Sequence, residues 1–503
     1  GNYIGTDISG TSAIPNGVST PGGRGAIDLV NGSNNNVIGT NGDGSGDSIE
    51  GNLISGNLLR GLILDGSSNN VVAGNLIGTD ISGSSVLGNT LGILIMNGSS
   101  HNLIGTNGDG TSDFIEGNVI SGSTEGSGIQ INASQNQISG NYIGTNQFGL
   151  VNLGNSGSGI FITETVTDIL IGGSNQQGNT IAFNNETGIL VYGSSVNDIQ
   201  IFNNSIFNNS FIGIDLAGDL QETGVTLNDP GDLDSGPNDL MNFPVLTKAT
   251  SITGFIAIKG EMVSSLPYTS YLVQFFDNEI CNSIGHGEGK TYVGSKQVFT
   301  DAYGNASFSA IFPSSASAGH FITATATAYG KTSEFSDCIE IKAEESTYTG
   351  EISENPCEQF NQEEMRLVTF NYHPGTGLFS LYVKNPDPYP VEGPASPWDF
   401  AGVLGNIPSA RTSFLEFDDR VYFDFAIPET YLNTKQTLKI FSNYCFEPLY
   451  ATDVNITSKE PTAPTGTVDP DSCHEDLGIR ACPAAGGAYN DLTGKCDCPR
   501  GGE

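Results

Sequence analysis

A nearly identical decapeptide recurs along the first half of the chain and constrains its fold more than any other feature. GNYIGTDISG begins at Gly1, GNLIGTDISG at Gly74 and GNYIGTNQFG at Gly140. Two further segments, NVIGTNGDG at Asn36 and GNLISGN at Gly51, return 66 residues later with small changes. A fixed period of this length indicates a solenoid of stacked repeats. We expect each 66-residue repeat to hold about three coils of 22 residues.

Each repeat contains short apolar runs with a period of two, which is typical of β-strands. Examples are GAIDLV at Gly25, GLILDG at Gly61 and GILIMNG at Gly92. The Asn-Gly, Gly-Asn and Gly-Ser pairs between them tolerate the left-handed backbone of sharp corners, and the gaps are too short for crossover helices. We therefore predict an all-β chain that opens with a right-handed parallel β-helix over residues 1–240.

Asparagine recurs on both sides of the apolar pairs of this helix. Stacked amides at such positions can satisfy one another and the neighbouring backbone groups at the corners. The sequence therefore predicts asparagine ladders along the stack, with these members: Asn52, Asn57, Asn75, Asn118 and Asn141.

Longer alternating strands replace the repeat after residue 240. Residues 241–343 contain about seven such strands, which favours an immunoglobulin-like β-sandwich. Residues 344–459 show the same pattern and predict a second β-sandwich. The disulfides expected within these two domains are Cys281 with Cys338 and Cys357 with Cys445.

The last part of the chain is a linker followed by a cysteine-rich segment. Residues 460–472 are rich in Pro and Thr, which suits a stiff, extended linker. Residues 473–503 are too few to bury a core, so we expect an EGF-like segment held by two disulfides of open connectivity. Zinc is the less favoured alternative, because CDC is not C-x-x-C and the setting is oxidising. The four cysteines are Cys473, Cys482, Cys496 and Cys498.

Charge and cysteine use indicate the compartment and exclude some partners. The formal charge of −37 argues against nucleic acid and anionic membrane surfaces, which need clustered Lys and Arg. No apolar stretch is long enough for a membrane span, and the absence of a leader at Gly1 suggests a mature, processed form. An even number of cysteines and eight N-x-S/T sequons favour an extracellular or cell-surface glycoprotein. The sequons lie at Asn31, Asn97, Asn132, Asn185, Asn203, Asn208, Asn305 and Asn455.

The repeat motifs GNYIGTD, G-I-x-I and N-x-I-S-G-N resemble the parallel β-helix repeats of large bacterial secreted and surface proteins. NDPGDLDSGPNDLMNFPVL, from Asn228, and the segment ending HFITATATAYGKTSEFSDC, at Cys338, resemble the sandwich that commonly follows such helices. The resemblance implies the right-handed helix, the immunoglobulin-like sandwich and the extracellular setting. It implies no single activity, because this solenoid serves lyases, hydrolases, epimerases, adhesins and structural fibres.

The helix lacks the usual signs of a polysaccharide-cleaving site. A lyase needs a basic residue, yet Arg24, Arg60 and His101 are the only Arg, Lys or His among residues 1–246, against 22 Asp and Glu. A hydrolase needs carboxylates that converge on one spot. Here the acids follow the repeat, as in these pairs: Asp7 with Asp80, Asp43 with Asp109, and Asp47 with Asp113. We predict no catalytic residue, and we interpret the pectinase-like tripeptide Gly285-His286-Gly287 as a turn.

A calcium loop is the best candidate site. Carboxylate and amide oxygens cluster within eleven residues, with Gly231 and Gly236 to bend the chain, and such hard oxygen ligands suit calcium. The alternative is a solvated acidic linker. NGDGSGD at Asn41 and NGDGTSD at Asn107 are weaker candidates, and no organic cofactor is expected. The predicted metal ligands are Asp229, Asp232, Asp234, Asn238 and Asp239.

Regular repeats without catalytic outliers favour a non-enzymatic extracellular structural protein, a rigid rod subunit of a surface filament, sheath or appendage. Gly1 begins inside a repeat with no capping segment before it, so we expect self-assembly or another extracellular subunit at that bare sheet edge. The alternatives are a carbohydrate-active enzyme, hydrolase or lyase, and a calcium-dependent adhesin. The adhesin would bind glycans through the loops 6–23 and 79–89.

Overall fold

The computed structural model describes residues 1–16, 24–163, 165–218, 224–252, 255–314 and 316–343, followed by the backbone of ten strands between residues 366 and 497. Among these residues, no helix has the length and apolar character that crossing a bilayer requires.

Twenty short strands and a few single-turn helices form the first part of the chain. The strands are β1 (Tyr3–Ile4), β2 (Ile27–Val30), β3 (Val37–Gly39), β4 (Leu53–Ile54), β5 (Arg60–Asp65), β6 (Val71–Ala73), β7 (Leu76–Ile77), β8 (Leu91–Met96), β9 (Leu103–Gly105), β10 (Val119–Ile120), β11 (Ile129–Ile131), β12 (Asn136–Ser139), β13 (Tyr142–Ile143), β14 (Ile160–Ile162), β15 (Thr167–Gly172), β16 (Thr180–Ala182), β17 (Ile189–Tyr192), β18 (Asn197–Phe202), β19 (Ser205–Phe207) and β20 (Ile214–Ala217). The helices are α1 (Asp47–Glu50), α2 (Asp113–Glu116) and a 3-10 turn at Asn175–Gln177.

These strands build three parallel sheets, so the predicted parallel β-helix-like solenoid is confirmed. The first sheet has the order β1-β4-β7-β10-β13-β16-β19, the second β2-β5-β8-β11-β14-β17-β20, and the third β18-β15-β12-β9-β6-β3. The right-handed sense of the coil stays a prediction, favoured by the general rule for parallel crossovers.

The register places similar side chains of successive coils on top of one another, because alternate residues of each strand point into one narrow core. In the first sheet, Ile54 pairs with Ile77, which pairs with Ile120 and then with Ile143. All four are completely buried. Branched side chains of one size therefore fill each coil in the same way, and one continuous apolar core runs along the stack.

Each 66-residue repeat holds two coils, so the expected three coils of 22 residues are wrong. The first sheet advances 23 residues from Leu53 to Leu76 and 43 residues from Leu76 to Val119. The longer coil carries two insertions, a hairpin loop closed by the Thr79–Val86 bridge and an acidic loop that contains α2. Sequence self-similarity gives the period of the repeat, but it does not show how unequally the loops divide it.

The predicted asparagine ladders are confirmed at the corners. The backbone N–H and the side-chain Nδ2 of Asn75 both donate to Oδ1 of Asn118, at 2.9 and 3.0 Å. Asn118 donates in the same way to Asn141, at 3.2 and 2.9 Å. Nδ2 of Asn118 also donates to the carbonyl of Val72, in the preceding coil, at 2.7 Å. The ladder thus satisfies corner groups that no strand can pair.

Eight strands follow the helix and form what we call the cap domain, residues 241–343. They are β21 (Val245–Ile252), β22 (Phe255–Met262), β23 (Ser270–Asn278), β24 (Thr291–Phe299), β25 (Ala306–Pro313), β26 (Phe321–Ala328), β27 (Lys331–Thr332) and β28 (Ile339–Ala343). Their order is β24-β23-β26-β28-β21-β22-β25, with β27 on β26. The predicted disulfide between Cys281 and Cys338 is confirmed, with Cα atoms 6.0 Å apart.

The remaining strands are described by their backbone alone. They are β29 (Arg366–His373), β30 (Leu378–Lys384), β31 (Phe400–Leu404), β32 (Ile407–Pro408), β33 (Arg411–Phe414), β34 (Arg420–Ala426), β35 (Thr434–Ser442), β36 (Tyr450–Ile456), β37 (Ala488–Asn490) and β38 (Lys495–Asp497). They form two four-stranded sheets and one hairpin. The disulfides predicted for this region, and the linker 460–472, fall outside the described residues or side chains: Cys357, Cys445, Cys473, Cys482, Cys496 and Cys498.

Removing one ladder amide should destabilise the helix. We expect Asn118→Ala to lower the free energy of unfolding by about 3 kcal/mol, because the buried N–H and amide groups of Asn75 lose their acceptor. Urea denaturation measures the change. The matched control is Asn185→Ala at an exposed corner, which should change stability by less than about 0.5 kcal/mol. Equal effects of the two substitutions would contradict the role of the ladder.

Candidate functional site

The end of the helix meets the cap domain through hydrogen bonds to the last strand or corner of each sheet. In the first sheet, Ile206 and Gly289 exchange backbone hydrogen bonds of 2.8 and 2.9 Å. At the corner after β19, Oε1 of Glu288 accepts both the backbone N–H and Nδ2 of Asn209, at 3.1 and 2.8 Å. The backbone groups that a next coil would have paired are thus paired by the cap.

In the other two sheets, side chains pair the backbone of the last strand, and in the third sheet Thr332 also accepts the N–H of Ile201 at 2.9 Å. In the third sheet, Oδ1 of Asn238 accepts the N–H of Ile199 at 2.9 Å, while its Nδ2 donates to the carbonyls of Ile199 and Thr332, at 2.8 and 2.9 Å. In the second sheet, Oε1 of Glu334 accepts the N–H of Leu216 at 2.9 Å. Each of these side chains stands where the backbone of one more coil would lie.

Two aromatic rings of the cap continue the apolar core of the helix. Phe276 and Phe335, both 3 % exposed, pack with the core isoleucines. Their ring centroids are 5.4 Å apart in an edge-to-face arrangement. Gly213 of the last coil lies directly under Phe335, where a Cβ atom would come within 2.8 Å of the ring. Helix and cap therefore share one hydrophobic core.

Three of the predicted metal ligands lie together in the connection between helix and cap. Carboxylate oxygens of Asp229, Asp232 and Asp234 are all within 4.8 Å of one another. Asn242 holds the loop, because its N–H donates to Oδ1 of Asp232 and its Oδ1 accepts the N–H of Asp229, both at 2.9 Å. Gly231, at φ +90°, allows the tight bend. The three carboxylates form a small cluster of hard oxygen atoms.

The electrostatics of this cluster favour a cation. Burial is the main cause that raises the pKa of Asp232 to about 6, and the charges of Asp234 and Asp229 raise it further. Burial and the charge of Asp229 raise the pKa of Asp234. Oδ1 of Asp229 and Oδ1 of Asp234 are buried without a hydrogen-bond partner among the described residues. A divalent cation would neutralise this repulsion and satisfy both oxygens.

The structure places Asn238 and Asp239 away from this cluster. Both amide atoms of Asn238 are used at the edge of the third sheet. The carboxylate of Asp239 pairs with the ammonium group of Lys331. Both residues have positive φ, 50° and 54°, so the chain turns between them and the earlier aspartates. Spacing in the sequence does not reveal this reversal.

The repeated aspartates of the helix accept hydrogen bonds in their own loops, and Asp47 also accepts the hydroxyl of Ser112 from the equivalent loop of the next repeat. Oδ1 of Asp7 accepts the N–H groups of Thr11 and Ser12, at 3.1 and 3.2 Å. Asp47 accepts the hydroxyl of Thr40 at 3.0 Å and the N–H of Gly44 at 2.9 Å. These contacts indicate that the repeated acids hold the loops in place from one repeat to the next.

Most of the predicted glycosylation sites with described side chains lie at exposed or half-buried corners. Asn203 differs, because its Nδ2 donates to the carbonyl of Gly173 at 2.7 Å and its Oδ1 accepts from Gln274 of the cap. The side chain of Asn455 is outside the described part of the chain. The exposed members are Asn31, Asn97, Asn185, Asn208 and Asn305, and Asn132 is half-buried.

The tripeptide at residues 285–287 lies in a turn beside the disulfide, as its interpretation requires. Nε2 of His286 is 2.7 Å from Oδ1 of Asp337, and its ring packs edge-to-face on Phe243. The N–H of Cys338 donates to the carbonyl of Gly285 at 2.9 Å. These contacts tie the turn to the chain segment that carries the second cysteine.

Sequence reasoning missed the acidic residues that close the helix. Glu288 and Glu334 are 8 % and 2 % exposed, and Asp215, on the outer face of β20, is 2 % exposed. Glu288 and Glu334 have no acidic neighbour within two residues, and Asp215 repeats the Ile-Asp-Leu of residues 27–29 in the same sheet. The sequence pattern did not distinguish these acids from exposed ones.

No family model and no curated protein matches this chain. Among solved structures, the crystal structure of chicken CNTN1 FN1-FN3 domains is similar to 42% of this chain and covers 67% of its own, at 9% identity and a TM-score of 0.13. A TM-score this low carries no argument about the fold or the function.

Two neighbouring substitutions test the closure of the third sheet. We expect Asn238→Gly to lower the free energy of unfolding by about 3 kcal/mol, because buried groups of Ile199 and Thr332 lose their partners. Glycine tolerates the positive φ of both positions, so Asp239→Gly is the matched control and should cost less than about 1 kcal/mol. Thermal unfolding checks both, and equal losses would contradict the assignment.

Proposed function

We propose that this protein is an extracellular structural protein, a stiff rod subunit of a surface filament, sheath or appendage, without catalysis. The observation that carries the proposal is the unbroken apolar core, which runs through the described coils into the cap, together with the amide ladder from Asn2 to Asn204. Seven strands at the usual spacing make the helical part about 30 Å long. Such a stack resists bending, because each coil is bonded to the next along all three sheets.

The extracellular setting is supported by the disulfide at Cys281–Cys338. The exposed sequons and the strong negative charge agree with it. We also propose that the cap domain and residues 344–459 are immunoglobulin-like β-sandwiches, and that residues 473–503 form the disulfide-clipped segment. We also propose that the rod assembles by self-association or through another extracellular subunit.

Calcium is the cofactor that we propose for the connection between helix and cap. Asp229, Asp232 and Asp234 would bind it, with one carboxylate oxygen from each as the minimum set. The two buried oxygens without partners support this assignment. Because Asn242 links the loop to the start of the cap, a bound ion would stiffen the joint of the rod.

A glycan-binding adhesin is the second candidate, and the hairpin loops of the first sheet favour it. These loops are closed by the bridges Thr6–Ala13, Thr79–Val86 and Thr145–Asn152, and they project from the same edge of every second coil. Ile8, at 96 % exposure, and Phe148, at 62 %, lie at their tips. A polysaccharide hydrolase or lyase is the remaining alternative.

Native particles isolated from the cell surface or the medium test the structural proposal. We expect electron microscopy to show filaments, sheaths or appendages that contain this chain, because coils bonded along three sheets make a stiff subunit. A panel of neutral and acidic polysaccharides is the companion measurement. Dispersed single molecules that cleave a polysaccharide would overturn the proposal, and calcium-dependent retention without cleavage would favour the adhesin.

Calorimetry with calcium tests the metal site. We expect one calcium ion to bind and to raise the melting temperature, since a ligand at 100 times its dissociation constant adds about 2.7 kcal/mol of stability. Asp234→Asn should abolish binding, whereas Asp239→Asn, whose carboxylate pairs with Lys331 instead, should leave it unchanged. Unaltered calcium binding by Asp234→Asn would exclude the site.

A further inference from the structure

Three buried carboxyl groups lie at the joint, by which we mean the interface between the last coil of the helix and the cap domain. Glu288 and Glu334 come from the cap, and Asp215 comes from the last strand of the second sheet. The calcium loop does not include them. They lie where the cap closes the last coil, so their ionisation acts on the contact between helix and cap.

Glu288 stands in the place of the next ladder amide. Asn184 donates its backbone N–H and Nδ2 to Oδ1 of Asn209, at 3.1 and 2.9 Å. Asn209 donates the same two groups to Oε1 of Glu288, at 3.1 and 2.8 Å. A neutral carboxyl group presents the same carbonyl oxygen as an amide, and its second oxygen can carry the proton. The protonated carboxyl group of Glu288 can therefore accept both hydrogen bonds from Asn209 as a ladder amide would.

Glu334 and Asp215 form a second acidic group under the connection that leaves β20. Glu334 accepts the N–H of Leu216 at 2.9 Å and that of Thr226 at 2.8 Å. Oδ2 of Asp215 accepts the N–H of Gly224 at 3.2 Å, whereas its Oδ1 is buried without a partner among the described residues. The charge of Asp215 acts on Glu334, so ionising one opposes ionising the other.

Four cations of the cap near the joint pair with acids other than the three buried carboxyls. Four ion pairs lie on the elements around the joint, and none includes the three buried carboxyls: His286 with Asp337, Lys290 with Glu279, His320 with Asp277, and Lys331 with Asp239. Burial raises the pKa of Asp215 to about 6, of Glu288 to about 7 and of Glu334 to about 8. The groups that face them are backbone N–H donors, the amide of Asn209 and, for Glu334, Asp215.

We propose that the joint is a proton-controlled latch, which holds the cap tightest on the helix in acid and loosens as the solution becomes alkaline. When the joint opens, water reaches the three carboxyls and they ionise as ordinary acids. The closed joint therefore holds more protons than the open one between about pH 4.5 and 8, and its stability falls as the pH rises through that range. Loosening would expose the edges of β18, β19 and β20 together with Phe335.

Hydrogen exchange of the full chain from pH 5 to pH 9, corrected for the intrinsic pH dependence, tests the latch. The opening constant reported by the Asn209 amide should rise up to about pH 8, by at least tenfold per pH unit below about pH 7, and then level off. Glu288→Gln keeps the acceptor and cannot ionise, so it should make the rise below about pH 7 shallower by about tenfold per pH unit. Asp215→Asn should weaken the corresponding rise at Leu216. The control, Glu279→Gln, changes an acid of the same domain that pairs with Lys290 at the surface.

Opening constants that do not depend on pH in the wild-type chain would overturn the latch, as would an equal rise in wild type and Glu288→Gln. If that variant fails to fold, infrared difference spectra of the wild-type chain give the second reading. We expect carboxylic acid carbonyl bands at pH 5.5 that shrink by pH 9, with the same end point in Glu279→Gln. Absence of such bands above pH 5.5 would likewise overturn the proposal.

Discussion

The two hydrogen bonds that each corner asparagine donates to the asparagine one coil later are the interaction on which the solenoid depends. Strands of two to six residues cannot pair the backbone of a corner, and buried unpaired groups cost about 1–3 kcal/mol each. Stacked amides remove this cost at every level, as at Asn75 and Asn118. They also fix the register, because a one-residue slip would break the ladder and turn the isoleucines outward.

A repeating ladder leaves donors and acceptors without partners at its last coil. The cap domain is built to supply these partners. The cap and the connection before it supply acceptors and donors to the last coil: a carboxyl at Glu288, an amide at Asn238 and backbone groups at Gly289. Phe276 and Phe335 cover the apolar end of the core. The acidic loop at Asp229, Asp232 and Asp234 lies in the same connection, so the residues proposed to bind calcium lie beside those that close the helix.

Local chemistry made much of the candidate site predictable. Three aspartates within six residues, bent by Gly231, pointed to a metal loop, and the structure brings these three together. Asn238 and Asp239 fitted the same spacing, but their positive φ turns them toward the third sheet and toward Lys331. Glu288 and Glu334 gave no signal, because their partners Asn209 and Leu216 are 79 and 118 residues away in the chain.

The sequence by itself determined the all-β class, the parallel stacking and the asparagine ladders, because period-two apolar runs, turn residues and repeated asparagines act over a few residues and recur in register. It also determined the disulfide between Cys281 and Cys338. Only the tertiary structure decided that each repeat holds two coils, since a period of 66 residues does not show how long each loop is. It also decided which buried acids close the helix, because burial and the meeting of distant backbone groups arise only when the chain is folded.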